Sequence, residues 1–323
     1  MLPTSRIALV ALCLFMCGCG SEGEGRQGQG SGLVRIPLVD PIDYAALGRG
    51  RVCFERVVPS GQGGGVFVID AAARQAWGLA ANGLITAGIF HEAAISPDGA
   101  RIAYSSLTDL ITFWDIYEMP ADGGVPTRVS SGTNNEGSPA WTPGSDLIWW
   151  TGTEVIEGSH GALDVLKNTR EAISVTGTRV IALGPYGLFI RGASAYGPLM
   201  AANENMLAAP AFSPDGVELA WIQVRGAYGS QAAMDVVVAR ADAVAAESVT
   251  SLPLPGGLLT WFGGNNLSLD WSPDGRRLVF NRPESGTASH IFVVGRDGTG
   301  LQQITSAPGV ADRSVSWSHL PAP

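Results

Sequence analysis

The sequence predicts an all-β fold, a β-propeller, from two kinds of repetition. The tetrapeptide SPDG occurs at residues 96–99, 213–216 and 272–275. Each copy follows a large apolar residue and precedes an apolar run that contains an aromatic residue in register. Because Pro fixes φ and Asp-Gly supports the left-handed conformation of a tight hairpin, each copy predicts a strand, a turn and a second strand. Repetition at this spacing indicates stacked supersecondary units.

Four strands are predicted in each unit. A degenerate copy of the motif, WTPGSDLIWWTG, begins at Trp141. Third strands are predicted in FWDIYEM, MDVVVAR and HIFVVGR, and fourth strands in PTRVSS, ESVTSL and LQQITS. Units of about 40 to 45 residues with four short strands are typical of propeller blades. The aromatic residues predicted to be buried in the second strands are Phe54, Tyr104, Trp150, Trp221 and Phe280.

The two ends of the chain predict ring closure. The segment from Arg51 aligns with second and third strands elsewhere, but no SPDG strand precedes it. Near the other end, SVSWSHL places Trp317 and Ser318 where Trp271 and Ser272 stand. We therefore expect residues 314–318 to pair with the strand from Arg51, so that the last strand completes the first blade and leaves no open edge.

The number of blades depends on the long step between the motif copies at residues 142 and 213. This step holds a full blade through DVLKNTREAISVT, followed by TRVIALGPYGLFIRGASAYG, which we interpret as a shortened blade. The prediction is six four-stranded blades, with five blades and an insertion as the alternative.

The repeats resemble those of the TolB-like, WD-repeat-like propellers. These carry the same aromatic-Ser-Pro-Asp-Gly signature, followed by an Ile/Leu-Ala/Val-aromatic strand, and the resemblance covers residues 50–319. It implies the propeller fold for this chain. Propellers with this repeat serve as binding modules, as accessory domains of peptidases and, in a few cases, as lyases.

The first residues predict a lipoprotein. Arg6 precedes an apolar run that is too short to span a bilayer, so residues 1–18 are predicted to be a signal peptide. MCGC at residues 16–19 resembles a lipobox and predicts lipidation at Cys19, with ordinary secretion as the alternative. Residues 19–34 are Gly-rich and polar and predict a flexible tether, and 35–323 form the propeller.

The composition restricts the possible binding partners and the cellular location of the protein. The formal charge is −9, only 15% of residues are charged, and no basic cluster occurs, which argues against binding to nucleic acid or electrostatic adsorption to anionic lipid. The tether would then provide the membrane attachment. Neither Gly20 nor Ser21 is the aspartate associated with inner-membrane retention, so we expect an outer-membrane lipoprotein that faces the periplasm or the exterior.

Catalytic motifs are missing from the sequence. It contains no G-x-S-x-G elbow, Walker loop or H-E-x-x-H helix. The four histidines are scattered and are interpreted as surface or loop residues, and RDGTG at 296–300 as a hairpin turn rather than a calcium loop. No cofactor or metal is therefore expected. Cys53 lies within a predicted strand and is expected to be a buried small hydrophobe.

A candidate binding site comes from the segments that lead into the inner strands. In a propeller all these segments emerge on one face around the channel, so their polar side chains should converge on a ligand. The alternative is that they are ordinary loop residues. The predicted ligand-binding residues are His91, Glu92, Asn135, Glu136, Asn205, Asn266, Asp312 and Arg313.

Three functions follow as expectations. The first is a non-enzymatic, lipid-anchored monomer that binds an envelope protein or another polar envelope ligand through this face. The second, which the family resemblance implies, is a propeller enzyme such as a polysaccharide lyase, with a metal or a base at the channel mouth. The third is a purely structural envelope protein.

Overall fold

Antiparallel strands make up almost all of the regular structure in the computed structural model. The described residues all belong to one unit, residues 31–323. They are 33–38, 40–58, 65–81, 91–107, 113–130, 135–151, 155–157, 161–163, 173–176, 179–184, 187–191, 196–201, 206–225, 232–241, 246–254, 267–284 and 288–319.

A short helix near the start of the domain is followed by a long succession of strands. The first part of the chain forms β1 (Leu33–Pro37), α1 (Tyr44–Leu47), β2 (Arg51–Val57), β3 (Gly65–Asp70), β4 (Gln75–Ala81), β5 (His91–Ile95), β6 (Arg101–Leu107), β7 (Trp114–Pro120) and β8 (Thr127–Arg128). The middle part forms β9 (Gly137–Trp141), β10 (Leu147–Trp150), β11 (Val155–Glu157), β12 (Gly161–Leu163), β13 (Ile173–Thr176), β14 (Arg179–Gly184), β15 (Gly187–Arg191) and β16 (Tyr196–Ala201). The last part forms β17 (Met206–Phe212), β18 (Glu218–Arg225), β19 (Ala232–Arg240), β20 (Ala246–Leu254), β21 (Leu269–Trp271), β22 (Arg277–Pro283), β23 (Ser289–Gly295), β24 (Gln302–Gln303) and β25 (Ala311–Trp317).

Most of the strands pair in sets of four, and one set has five. β5–β8, β9–β12, β13–β16 and β17–β20 are separate antiparallel sheets in which each strand pairs with the next along the chain. A nine-stranded sheet contains the β21–β24 set and a closing set, which runs in the order β25, β2, β3, β4 and β1. One parallel bridge, between Ser289 and Ala311, joins its two parts.

The SPDG turn is closed by its own side chains. In the copy at 272–275, the Ser272 hydroxyl donates to Asp274 Oδ1 at 2.6 Å, and the same oxygen accepts the Arg276 N–H at 3.1 Å. Ser272 Oγ accepts the Arg277 N–H at 2.9 Å. Gly275 has φ +66°, the left-handed conformation that glycine adopts without strain. These hydrogen bonds recur in the other two copies, at Ser96 and Ser213.

The C-terminal strand completes the first set, as predicted. β25 pairs antiparallel with β2, with Val52 opposite Trp317. Ser318 takes the place of the motif serine: its N–H donates to the Arg51 carbonyl at 2.8 Å, and its hydroxyl accepts the Arg51 N–H at 2.8 Å. Ser272 makes the same two bonds with Arg277. The hairpin turn of this set is therefore divided between the two ends of the domain.

The first strands of the sets form an inner ring. β25, β5, β9, β13, β17 and β21 lie next to one another in this order, and β21 lies next to β25 again. The inner strands therefore contact one another in a closed cycle. The predicted number of blades stays a prediction.

The in-phase aromatic residues are confirmed in four of the five predicted cases. Phe54, Tyr104, Trp221 and Phe280 lie in second strands and are at most 3% exposed. The fifth prediction, Trp150, is wrong, because Trp149 is the buried residue and Trp150 is only half-buried. The cause is the TPGSD turn: the Thr142 N–H bonds the carbonyl four residues on, at Asp146, whereas Ser272 bonds the carbonyl five residues on. The shorter turn shifts the register of β10 by one residue.

The strands between the motif copies at residues 142 and 213 are also grouped differently from the prediction. Residues 173–176, ISVT, were predicted to complete the blade that begins at β9, but they form β13 and pair with β14. The fourth strand of the earlier set is β12 instead. β13 and the segment that we interpreted as a shortened blade therefore belong to one set of four strands, β13–β16.

The N-terminal segment fills the joint between the closing set and the β21–β24 set. Leu47 is fully buried in a core cluster with Phe54 and Phe67 from one side and with Val279 and Ile291 from the other. The cluster also contacts Leu38, Ile42 and Tyr44. Upstream, β1 covers the outer edge of β4 and includes Leu33 and Val34, which the sequence assigned to the tether. The rest of the tether lies outside the described residues.

Candidate functional site

The predicted site lies on the side of the propeller where the inner strands begin, which we call the loop face. The opposite side carries the SPDG turns, and we call it the motif face. β5 begins with His91 and Glu92, Asn135 and Glu136 precede β9, and Asp312 and Arg313 lie near the start of β25. The described residues do not include the side chain of His91, nor any part of Asn205, Asn266 or Cys19.

Arg313 forms an ion pair with a buried glutamate. Its Nη2 donates to Glu55 Oε1 at 2.9 Å and its Nε to Glu55 Oε2 at 3.1 Å. The two residues are opposite each other in β25 and β2. Because both carboxylate oxygens are engaged, the guanidinium is held in one orientation.

Asp312 forms a second ion pair beside the first. Arg56 donates from Nε to Oδ1 at 2.6 Å and from Nη2 to Oδ2 at 2.9 Å, and its Nη2 also bonds Asp40 Oδ2 at 2.5 Å. Asp312 is fully buried. Burial alone would raise the pKa of Asp312, but the bonds from Arg56 outweigh it and hold the pKa below its ordinary value. This cluster joins the N-terminal segment, β2 and β25.

His290 differs from the prediction of a surface or loop histidine. It lies in β23 and is 5% exposed. Its Nδ1 is 3.9 Å from Asp312 Oδ2, and its Nε2 is 3.7 Å from Glu284 Oε2. No pattern in the sequence indicated this placement, because His290 and Asp312 are brought together only by the pairing of distant strands.

Glu92 links two inner strands. Its Oε2 accepts a short hydrogen bond from the Ser138 N–H, at the start of the next inner strand. Glu92 has φ +55° and Ser138 has φ +50°, and each lies three residues before the apolar residue that precedes the motif. Ala209 and Ser314 occupy the same place in β17 and β25 and also have positive φ. The strand pairing shifts register at each of these places, which identifies them as β-bulges.

Asn135 and Glu136 connect the β5–β8 set to β9. Asn135 is exposed, and its Oδ1 accepts the Trp114 N–H at 3.2 Å. Glu136 is 6% exposed, and its own N–H donates to the Trp114 carbonyl at 2.8 Å. Burial raises the pKa of the Glu136 carboxyl above its ordinary value, the Ser130 hydroxyl opposes this rise, and the Asp115 carboxylate adds to it.

Sequence reasoning missed several residues that bond neighbouring inner strands. Asp270 Oδ2 accepts the Trp317 N–H at 2.8 Å, and Ser268 Oγ accepts the Val315 N–H at 2.9 Å. Ser268 is itself bonded to the buried Asn281, which follows the in-phase aromatic residue of β22. Glu55 occupies the same position in β2. A polar residue directly after the buried aromatic residue was therefore a signal in the sequence.

The described residues contain no group of three or more His, Cys, Asp or Glu that could hold a metal ion. Among the same residues, no helix is long and apolar enough to cross a membrane. Cys53 is fully buried, as predicted, and burial raises the pKa of its thiol.

Comparisons with known proteins match the fold but not the sequence. No protein-family model matches the chain, and no curated protein is similar to it. Among solved structures, the chain is similar to TolB from Acinetobacter baumannii, with a TM-score of 0.64 and 17% identity over 83% of this chain. Its fold is that of a TolB-like β-propeller.

Two larger proteins contain a similar domain. They are hydrazine synthase from Kuenenia stuttgartiensis, with a TM-score of 0.58, 10% identity and 89% of this chain covered, and the tricorn protease, with a TM-score of 0.52, 13% identity and 80% covered. The matched regions span 66%, 48% and 27% of the TolB, hydrazine synthase and protease chains. At these identities the similarity establishes the fold of the propeller alone.

Proposed function

We propose that this TolB-like propeller is a non-enzymatic binding module of the cell envelope that contacts a protein partner through its loop face. The observation that carries the proposal is the way in which the charged side chains of this face are held. Arg313 is fixed by Glu55 and Glu92 by the backbone of Ser138, and beside them Arg56 fixes the buried Asp312. A polar surface that is ordered before binding loses little conformational freedom on association.

The loop face also offers an apolar contact. Phe113 directly precedes β7 on this face and is 39% exposed. The exposed Asn135 is close by, because it bonds the backbone of Trp114, the next residue. Aromatic side chains surrounded by polar groups are the usual anchors of protein interfaces.

The test uses two matched substitutions. Phe113→Asp places a charge on the loop face, and Val217→Asp does the same on the motif face, where Val217 is 43% exposed. Partners are captured by chemical crosslinking from membranes that contain the full chain. We expect Phe113→Asp to reduce capture by about tenfold or more, while Val217→Asp leaves it unchanged. Equal capture by the two variants would remove the loop face from the proposal.

Attachment to a membrane is a separate part of the proposal. The lipobox-like MCGC supports a lipid on Cys19, and the polar tether would place the propeller away from the bilayer, at the outer membrane. Cys19→Ser should leave the propeller folded and move it from the membrane fraction to the soluble fraction. Mass spectrometry of the mature N-terminus is the direct measurement, and an unacylated chain that begins at another residue would contradict the anchor.

A further inference from the structure

Glu136 and Asp312 occupy equivalent positions in their sets. Glu136 lies five residues before Trp141, and Asp312 lies five residues before Trp317. Trp141 and Trp317 both end inner strands, and each indole N–H donates to a backbone carbonyl of an adjacent segment. Both carboxyl groups are buried at the loop-face end of an inner strand.

The two positions differ in the residue opposite the carboxylate. In the closing set, Arg56 lies two residues after the buried Phe54 and pairs with Asp312. In the β9–β12 set, Thr151 lies two residues after the buried Trp149. Trp150 pairs with Gly137, so continuing the register by one residue places Thr151 opposite Glu136. A threonine side chain carries no positive charge, so the Glu136 carboxylate lacks the cation that the equivalent position has.

Within the described residues, the surroundings of Glu136 compensate its charge only in part, chiefly through the Ser130 hydroxyl. Among the described residues, Arg128 is the cation that acts on Glu136, and it is shared with Asp115, which its Nη2 contacts at 2.7 Å. Glu136 Oε2 is buried and accepts no hydrogen bond from the described residues. The indole of Trp149 lies beside the carboxyl, yet its N–H is also buried without a hydrogen-bond partner there. A buried carboxylate oxygen without a donor costs free energy until a donor reaches it.

We propose that Glu136 receives the guanidinium or ammonium group of a basic side chain on the protein partner, an inference that rests on the proposed function of the loop face. The carboxylates of Glu136 and Asp115 and the single guanidinium of Arg128 give this position a net negative charge. Phe113 and Val129 are 39% and 38% exposed and adjoin Trp114 and Ser130, which both bond Glu136, so they can cover the aliphatic part of an Arg or Lys side chain. The pair would repeat, between two proteins, the contact that Arg56 and Asp312 make within this one.

The experiment measures binding of two synthetic probes to the full chain at low salt. One is a short Gly-Ser peptide that carries several arginines, and the other has glutamates in their place. We expect the arginine peptide to bind about tenfold tighter, and Glu136→Gln to remove most of this difference. The matched control is Glu118→Gln, whose carboxylate pairs with Arg101 towards the motif face and should have no effect.

A second variant tests the inference independently of Glu136. Thr151→Arg places a guanidinium where Arg56 stands in the closing set, so it should pair with Glu136 and abolish binding of the arginine peptide. Equal binding of the two peptides to the parent protein would mean that Trp149 satisfies the carboxyl internally, and the inference would fail. It would also fail if both variants still bound the arginine peptide like the parent, while the effect of Phe113→Asp on partner capture decides the proposed function separately.

Discussion

Replacing Asp312 by Asn should destabilise the joint between the two ends of the domain. The amide keeps the shape of the side chain but removes the charge that faces Arg56, and Asp312 is fully buried. Breaking a buried ion pair by removing one partner costs about 3 to 5 kcal/mol. Because Arg56 keeps its bond to Asp40, we expect a loss near the lower end, about 3 kcal/mol. Urea unfolding followed by tryptophan fluorescence measures the change.

The pH dependence of this loss has a definite sign. The pKa of Asp312 is lowered in the folded protein, so its contribution to stability is present above the unfolded pKa and is lost as pH falls through the folded value. The difference between the parent and the Asp312→Asn variant should therefore shrink below about pH 4. The control is Glu118→Gln, which removes a half-exposed ion pair and should cost at most about 1 kcal/mol. If the two variants unfold at the same urea concentration at neutral pH, the buried pair does not stabilise the joint.

Two further predictions concern the register and the ring. Trp149→Ala should lower the free energy of unfolding by about 3 to 5 kcal/mol and Trp150→Ala by clearly less, because only Trp149 is buried in the core. Equal losses in urea unfolding would contradict the shifted register of β10. Deleting all residues after Val310 removes β25 and should expose the edge of β2. We expect a lower melting temperature and aggregation on heating. An unchanged melting temperature would contradict closure by this strand.

Much of the fold could be predicted because the SPDG turn carries its own hydrogen bonds. Ser272 and Asp274 close the turn without help from distant residues, so three copies in sequence mark three similar hairpins. The prediction failed where a turn differed in length. TPGSD is one residue shorter, and a count of eight residues therefore selected Trp150 instead of Trp149.

The site was less accessible to sequence reasoning. The loop-face positions of Glu136, Asp312 and Arg313 follow from the strand order, but their partners depend on pairing between distant segments. Once β25 is aligned with β2, the register places Glu55 opposite Arg313 and Arg56 opposite Asp312. Both ion pairs could therefore have been predicted from the alignment of β25 with β2. The bulges at residues such as Glu92 had no comparable signal, because a positive φ at a non-glycine residue depends on the packing of the ring.

The division of one hairpin between Ser318 and Arg51 has a consequence for folding. Every other described set receives its four strands from one continuous stretch of chain, so each can pair as soon as that stretch leaves the ribosome. The closing set must wait for β25, which follows every other described strand in the chain, although β2, β3 and β4 precede the strands of all the other sets. Contacts over such a sequence separation form slowly, because the intervening chain must already be arranged around the ring. During synthesis the inner edge of β2 therefore stays unpaired for longer than any other strand edge of the closing set, and it is the edge that a chaperone would have to shield.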